Sequence, residues 1–148
     1  MKKIDMLLTR DSFRNNCLKR DNYQCIVCKQ KATYDNKGEV DNLQVHHIIE
    51  RRLFVVTSQL GGYFIDNGAT VCTPCHYKAE QTLISCDELR KLAGIETAIL
   101  PENLYKDEIY DKWGNLILPN GRRTKGPLFH DESVQKVLVP VIHLFDDY

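Results

Sequence analysis

The sequence predicts an α+β protein organised around bound metal, and three observations carry that expectation. Two short runs, Leu43-Gln44-Val45 and Ala69-Thr70-Val71, read as strands, the first by its alternation of apolar and polar residues. Segments with helix caps and helical spacing stand around them. Four of the six cysteines fall into two pairs of like spacing, Cys25-x-x-Cys28 and Cys72-x-x-Cys75.

In chain order, Asp11 or Ser12 can cap a short helix that runs to about Arg20, with Phe13, Cys17 and Leu18 on one face. The first cysteine pair follows, then a polar loop around Asp35-Asn36-Lys37-Gly38. The strand at Leu43 leads directly into His46-His47. A long loop containing Gly61-Gly62 separates it from the second strand. Thr73-Pro74 is a helix start, threonine as cap and proline at the first helical position, and this helix is expected to reach about Leu83. Ser85-Cys86-Asp87-Glu88 has the capping-box spacing and opens a further helix that stops at Gly94. Beyond Leu100 the segments are short and punctuated by proline, glycine and asparagine, with a hairpin expected across Ile109 to Leu118 that turns at Gly114-Asn115. Residues 1–100 therefore read as one domain, and 101–148 as an irregular C-terminal extension that packs on it or binds a partner.

At 148 residues, 43% hydrophobic and 27% charged, the chain has the composition of a soluble protein. Its longest apolar stretch, Val137 to Phe145, is broken by Pro140 and His143 and is far shorter than the roughly 20 residues of a membrane span. Met1-Lys2-Lys3-Ile4 imitates a leader, but Asp5 and Arg10 leave no apolar core for one, so the chain reads as cytosolic. Net charge is zero, yet residues 1–31 hold eight Lys/Arg against three Asp/Glu, and residues 81–148 hold eight against eleven. A basic amino-terminal end can face phosphates; it is also what a solvated helix face looks like.

Two residues between cysteines let both sulfurs reach one ion, and two such pairs complete a tetrahedral four-thiolate zinc site from Cys25, Cys28, Cys72 and Cys75. Four thiolates close the coordination shell, so this zinc can fold the protein but not catalyse. Cys17 and Cys86 lack the spacing and read as ordinary thiols. Chemistry needs a second site, and the histidines supply one. A strand carrying His46 and His47 points their rings to opposite sides, so one can hold a metal while the other faces a water. His76 and Glu80 are one helical turn apart and can share a metal ion.

The run Phe13-Arg14-x-x-Cys17-Leu18-Lys19-Arg20-Asp21-x-Tyr23-x-Cys25-x-x-Cys28 resembles the amino-terminal part of zinc-containing HNH endonucleases. Val45-His46-His47-Ile48, Asp66-Asn67 and Cys72-x-x-Cys75-His76 resemble their catalytic core in order and spacing, and the likeness spans about residues 13–81. The resemblance implies a ββα-metal fold, in which two strands and a helix clasp a divalent cation. It implies that His47 is the general base that takes a proton from the attacking water, that His46 and His76 are metal ligands, and that Asn67 holds the loop and the base in place. Glu80 stands where some relatives have a further histidine; a carboxylate ligand favours Mg2+ or Mn2+. Gly68 replaces the usual apolar residue after Asn67, and Asn-Gly is also an ordinary turn dipeptide.

Arg51 and Arg52, just beyond the catalytic strand, are candidates to grip phosphate, and Arg14, Lys19 and Arg20 are weaker ones. The activity implied is phosphodiester hydrolysis, most naturally of DNA, with structural zinc and a catalytic divalent ion as cofactors. The alternative is a silent zinc-dependent nucleic-acid-binding or adaptor subunit, which intact His46, His47, Asn67 and His76 argue against. A second copy or another protein, bound through the extension, is the expected further partner. Restriction, phage defence and other nuclease systems all use such modules, and the fold does not choose among them.

Overall fold

The computed structural model describes residues 6–145. The leader-like run Met1-Lys2-Lys3-Ile4 with Asp5, and Asp146 and Asp147 of the acidic end, lie outside them. Helix α1 spans Arg10–Arg20 and buries Phe13, Cys17 and Leu18, the face that the spacing predicts. Its cap is Thr9, however, not Asp11 or Ser12: Thr9 is extended, and its hydroxyl oxygen accepts from Ser12 N at 3.1 Å.

Strand β1 (Leu43–His47) pairs antiparallel with β2 (Gly68–Cys72), in a register that sets His47 opposite Gly68 and Leu43 opposite Cys72. All five residues of β2 are buried, because α1 covers it and helix α2 (Thr73–Glu80) turns back onto it. Gly68 admits α1 at close range: a Cβ there would lie 2.5 Å from Cys17 Sγ and 2.7 Å from Phe13 Cζ. Asn67-Gly68 is thus no hairpin turn. Gly68 is extended strand, and its missing side chain makes room for the helix.

Helix α2 starts one residue earlier than a Thr73 cap would give, with Cys72 at the cap position, and it ends at Glu80 rather than near Leu83. The early stop has a local cause. Thr82 adopts φ 56° and Leu83 N reaches back to Lys78 O at 2.9 Å, which closes the helix in the Schellman manner. Helix α3 (Cys86–Ala93) follows expectation: Ser85 Oγ accepts from Glu88 N at 3.0 Å, and Gly94 ends it at φ 75°.

Past residue 100, the expected hairpin is reduced to a tight turn, with Asp111 N bonded to Asn115 O and a bridge between Tyr110 and Leu116. A helix that the sequence analysis does not place, α4 (Glu132–Leu138), is capped by Asp131 and runs into a 3-10 turn over Val139–Leu144. Trp113, Phe129, Val134, Leu138, Val141 and Phe145 form a buried cluster there, apart from the larger one around β1, β2 and α2. Among the described residues no helix is long and apolar enough to cross a membrane.

Candidate active site and metal centres

Two groups of His, Cys, Asp or Glu among the described residues could hold a metal ion. The first is Cys25, Cys28, Cys72 and Cys75, whose sulfurs lie within 4.8 Å of one another, with Cys28 and Cys72 Sγ 3.5 Å apart. Thiolates at about 2.3 Å around one tetrahedral zinc would stand roughly 3.8 Å apart, so the set fits that ion. All four are free thiols. Cys25 sits in the tight turn before Lys29, whose φ of 68° closes it. Burial would raise the Cys25 thiol, but backbone amides of Cys28, Cys72 and Val27 outweigh it and bring it down to about 7. Cys72 ends β2 and Cys75 lies in the first turn of α2, so an ion here would join the strand to the helix that carries His76. Cys17 and Cys86 stand outside the set: Cys17 Sγ contacts Ile65 O, Cys86 Sγ contacts Ile48 O, and burial pushes both up to about 12.

The second group is His46, His76 and Glu80, with their ligand atoms also within 4.8 Å of one another. His46 comes from β1 and the other two from one face of α2; the two rings meet edge to face at 5.1 Å. His76 is held at both ends. Nδ1 lies 3.0 Å from Gln44 Oε1, a carbonyl oxygen that can only accept, so Nε2, 2.8 Å from Glu80 Oε1, is the nitrogen that could bind an ion. His46 is 1% exposed, and neither of its ring nitrogens has a hydrogen-bond partner; Glu80 Oε1 is 3.8 Å from Nδ1. A buried imidazole with no partner is costly, and a metal ion answers that cost. Burial and the nearby Lys112 pull His46 down to about 3, so it presents a neutral ring. Burial alone would raise Glu80, but His46, His76 and Lys112 hold its carboxyl well below the ordinary range. Two imidazole nitrogens and a carboxylate oxygen are a donor set that could hold a divalent ion.

His47 points the other way, as strand alternation requires. Its ring packs at 4.7 Å from the Phe13 ring and 5.1 Å from that of Tyr63, and Nε2 lies 3.1 Å from Gly61 O. A carbonyl only accepts, so Nε2 carries the proton and Nδ1 keeps the lone pair. Burial first, then Lys112, pull His47 down to about 4. The glycine loop that fixes the ring is itself tied to Asn67, whose Nδ2 donates to Gly62 O at 3.2 Å and to Ile49 O at 3.0 Å while Oδ1 accepts from Ile49 N at 3.0 Å.

His47 and His76 open onto one cleft of about 520 Å³, lined also by Arg10, Phe13, Arg14, Arg51 and Tyr63. Of the two arginines expected at phosphate, Arg51 lines this cleft. Arg52 instead bonds Glu50 at 2.8 Å and Asp131 at 3.3 Å, bracing α4 against the body. Arg20 is likewise structural: it pairs with Asp21 and donates to the Ile65 and Gly68 carbonyls. Arg10, Gln44 and Tyr63 were not singled out in the sequence, since no motif carries them. Lys112 lies in no motif either. Its Nζ is 3.0 Å from His47 O and 3.9 Å from Glu80 Oε2, and burial lowers its affinity for a proton against the pull of Glu80 and Glu50.

Two antiparallel strands and a helix, with the helix and first strand converging histidines and a carboxylate on one point, define a ββα-metal unit. The HNH endonuclease family model matches residues 25–82 of the chain. No curated protein and no solved structure matches the chain.

Proposed function

We propose that this chain is a metal-dependent endonuclease that hydrolyses phosphodiester bonds, with DNA as its substrate. One observation carries the reading: two adjacent strand residues present a buried, unpartnered His46 to His76 and Glu80 on one side and a neutral, anchored His47 to the cleft on the other. Nδ1 of His47 accepts the proton of the attacking water, while Gly61 O steadies the imidazolium that forms. Arg51 holds a substrate phosphate at the mouth of the cleft. His46, His76 and Glu80 hold a divalent ion, Mg2+ or Mn2+, which supplies positive charge for the transition state and the departing oxygen. Cys25, Cys28, Cys72 and Cys75 hold zinc as a structural clamp.

The test is cleavage of supercoiled plasmid, single-stranded DNA and RNA by the zinc-loaded protein, with Mg2+ or Mn2+ and with magnesium-chelating controls. Metal-dependent nicking of plasmid is expected. Absence of cleavage on all three substrates, or cleavage indifferent to the divalent ion, overturns the proposal.

A pH profile tests the base separately. The neutral ring is the active form, so the rate falls as pH drops through the folded value, about 4 for His47. At pH 5.5 kcat is expected to stay above about 90% of its plateau, whereas a histidine at the ordinary 6.5 would be only about 10% neutral there. Zinc content is checked at each pH. An acid limb centred near 6.5 in zinc-replete protein would show that His47 is not the base, or not buried as described.

A further inference from the structure

Lys112 reaches the metal centre from the C-terminal extension, and the turn that carries it is fixed from all sides. Asp111 Oδ1 accepts from Trp113 N and Asn115 N at 2.9 Å each, and Asp111 Oδ2 from Asn115 Nδ2 at 2.9 Å and Arg123 Nη1 at 3.2 Å. Lys112 N donates to Thr82 Oγ1 at 2.9 Å, and Lys112 O accepts from Glu50 N at 2.9 Å. Trp113 Nε1 donates to Glu80 O at 2.6 Å, so the same turn grips the last residue of α2. Within this frame the Lys112 ammonium, 4% exposed, rests over the Trp113 ring at 4.9 Å, with His47 O and the Glu80 carboxylate as its polar neighbours. It is not among the residues that line the cleft.

A lysine buried to this degree is retained where it is paired, and its pairing here is with a residue of the metal group. Two imidazoles and one carboxylate make a site of charge −1. An ammonium fixed beside the carboxylate cancels that charge without occupying a ligand position.

We propose that Lys112 is a positioning residue of the metal centre: it anchors the end of β1 at His47 and the side chain of Glu80, and its charge weakens the hold of the His46–His76–Glu80 site on a divalent ion. The inference rests on the nuclease reading of that site. It gives the extension a part in the chemistry, since residues 101–148 then supply the cation that tunes a centre built by the HNH segment. A like charge fixed a few ångströms away opposes a divalent ion by about tenfold in affinity even with the screening of bulk water, and by more at the lower effective dielectric constants of protein sites. Packing alone has the opposite sign, because loosening a ligand set weakens binding.

The experiment titrates Mn2+ into the zinc-loaded full chain and reads free Mn2+ by electron paramagnetic resonance, for wild type, His76→Ala, Lys112→Met and Lys112→Gln. The glutamine keeps a donor for His47 O and drops the charge, so it stands in if the methionine variant does not fold. The expected result is Mn2+ binding at least about tenfold tighter in the neutral variants, with zinc content unchanged and a lower cleavage rate at saturating Mn2+. Unchanged or weaker binding overturns the proposal, and so does loss of the fold in both variants, which would make Lys112 a scaffold residue only. Should His76→Ala leave wild-type Mn2+ binding untouched, the site itself is misassigned and this inference falls with it.

Discussion

His47→Ala is expected to lower the cleavage rate by about 10²–10⁴-fold, the usual loss on removing a general base, while zinc content, fold and Mn2+ binding stay as in wild type. The separation follows from strand geometry. The His47 ring lies between Phe13 and Tyr63, and the metal group is made by other residues, His46, His76 and Glu80. Truncation removes the proton acceptor without touching a ligand. The cavity it leaves borders the open cleft rather than the core, so the fold loses little. His76→Ala, in contrast, weakens the metal centre, and added Mn2+ partly restores its rate. Rates are measured on plasmid at saturating divalent ion. A His47→Ala protein that cuts as fast as wild type would falsify the assignment of the base.

The larger expected effect on stability is that of Cys72→Ser. Structural zinc contributes about 10 kcal/mol or more to a small metal domain, and Cys72 is both the last residue of β2 and the cap residue of α2. Without the ion, the junction that aims His76 and Glu80 at His46 has no side-chain cap of its own. The expected outcome is loss of bound zinc together with misfolding or aggregation, followed by metal analysis and circular dichroism. Cys17→Ser and Cys86→Ser keep their zinc. A Cys72→Ser chain that is fully folded and free of zinc would sink the clamp.

What was legible in the sequence was local. Ser85 and Gly94 bracket α3 because a cap and a left-handed terminus are decided within four residues of the chain. The two cysteine pairs were legible because their spacing is itself the chelate geometry, and His46 and His47 because alternation along a strand needs no tertiary knowledge. The length of α2 was not: Thr82 takes a positive φ that no turn dipeptide announces. The reading of Asn67-Gly68 stayed open until the bonds from Asn67 to Ile49 and Gly62, and the approach of α1 to Gly68, were visible. Arg52 could not be told from Arg51 because Asp131, one of its partners, is 79 residues away along the chain. Helix α4 escaped because its residues border the apolar run broken by Pro140. Lys112 lies among unremarkable turn residues, and only the fold brings it to Glu80.

The bond between Lys112 and the His47 carbonyl joins residues 65 apart in the chain. During synthesis the two strands, the cysteine pairs and α2 leave the ribosome first, and that segment can assemble while the turn at residues 111–115 is still unmade. Its metal centre then lacks Lys112, and the end of α2 lacks the indole of Trp113. The contacts of Lys112 with His47 and of Trp113 with Glu80 thus form later than the strands and the helix they brace, which separates the folding of the metal-binding segment from the completion of its surroundings.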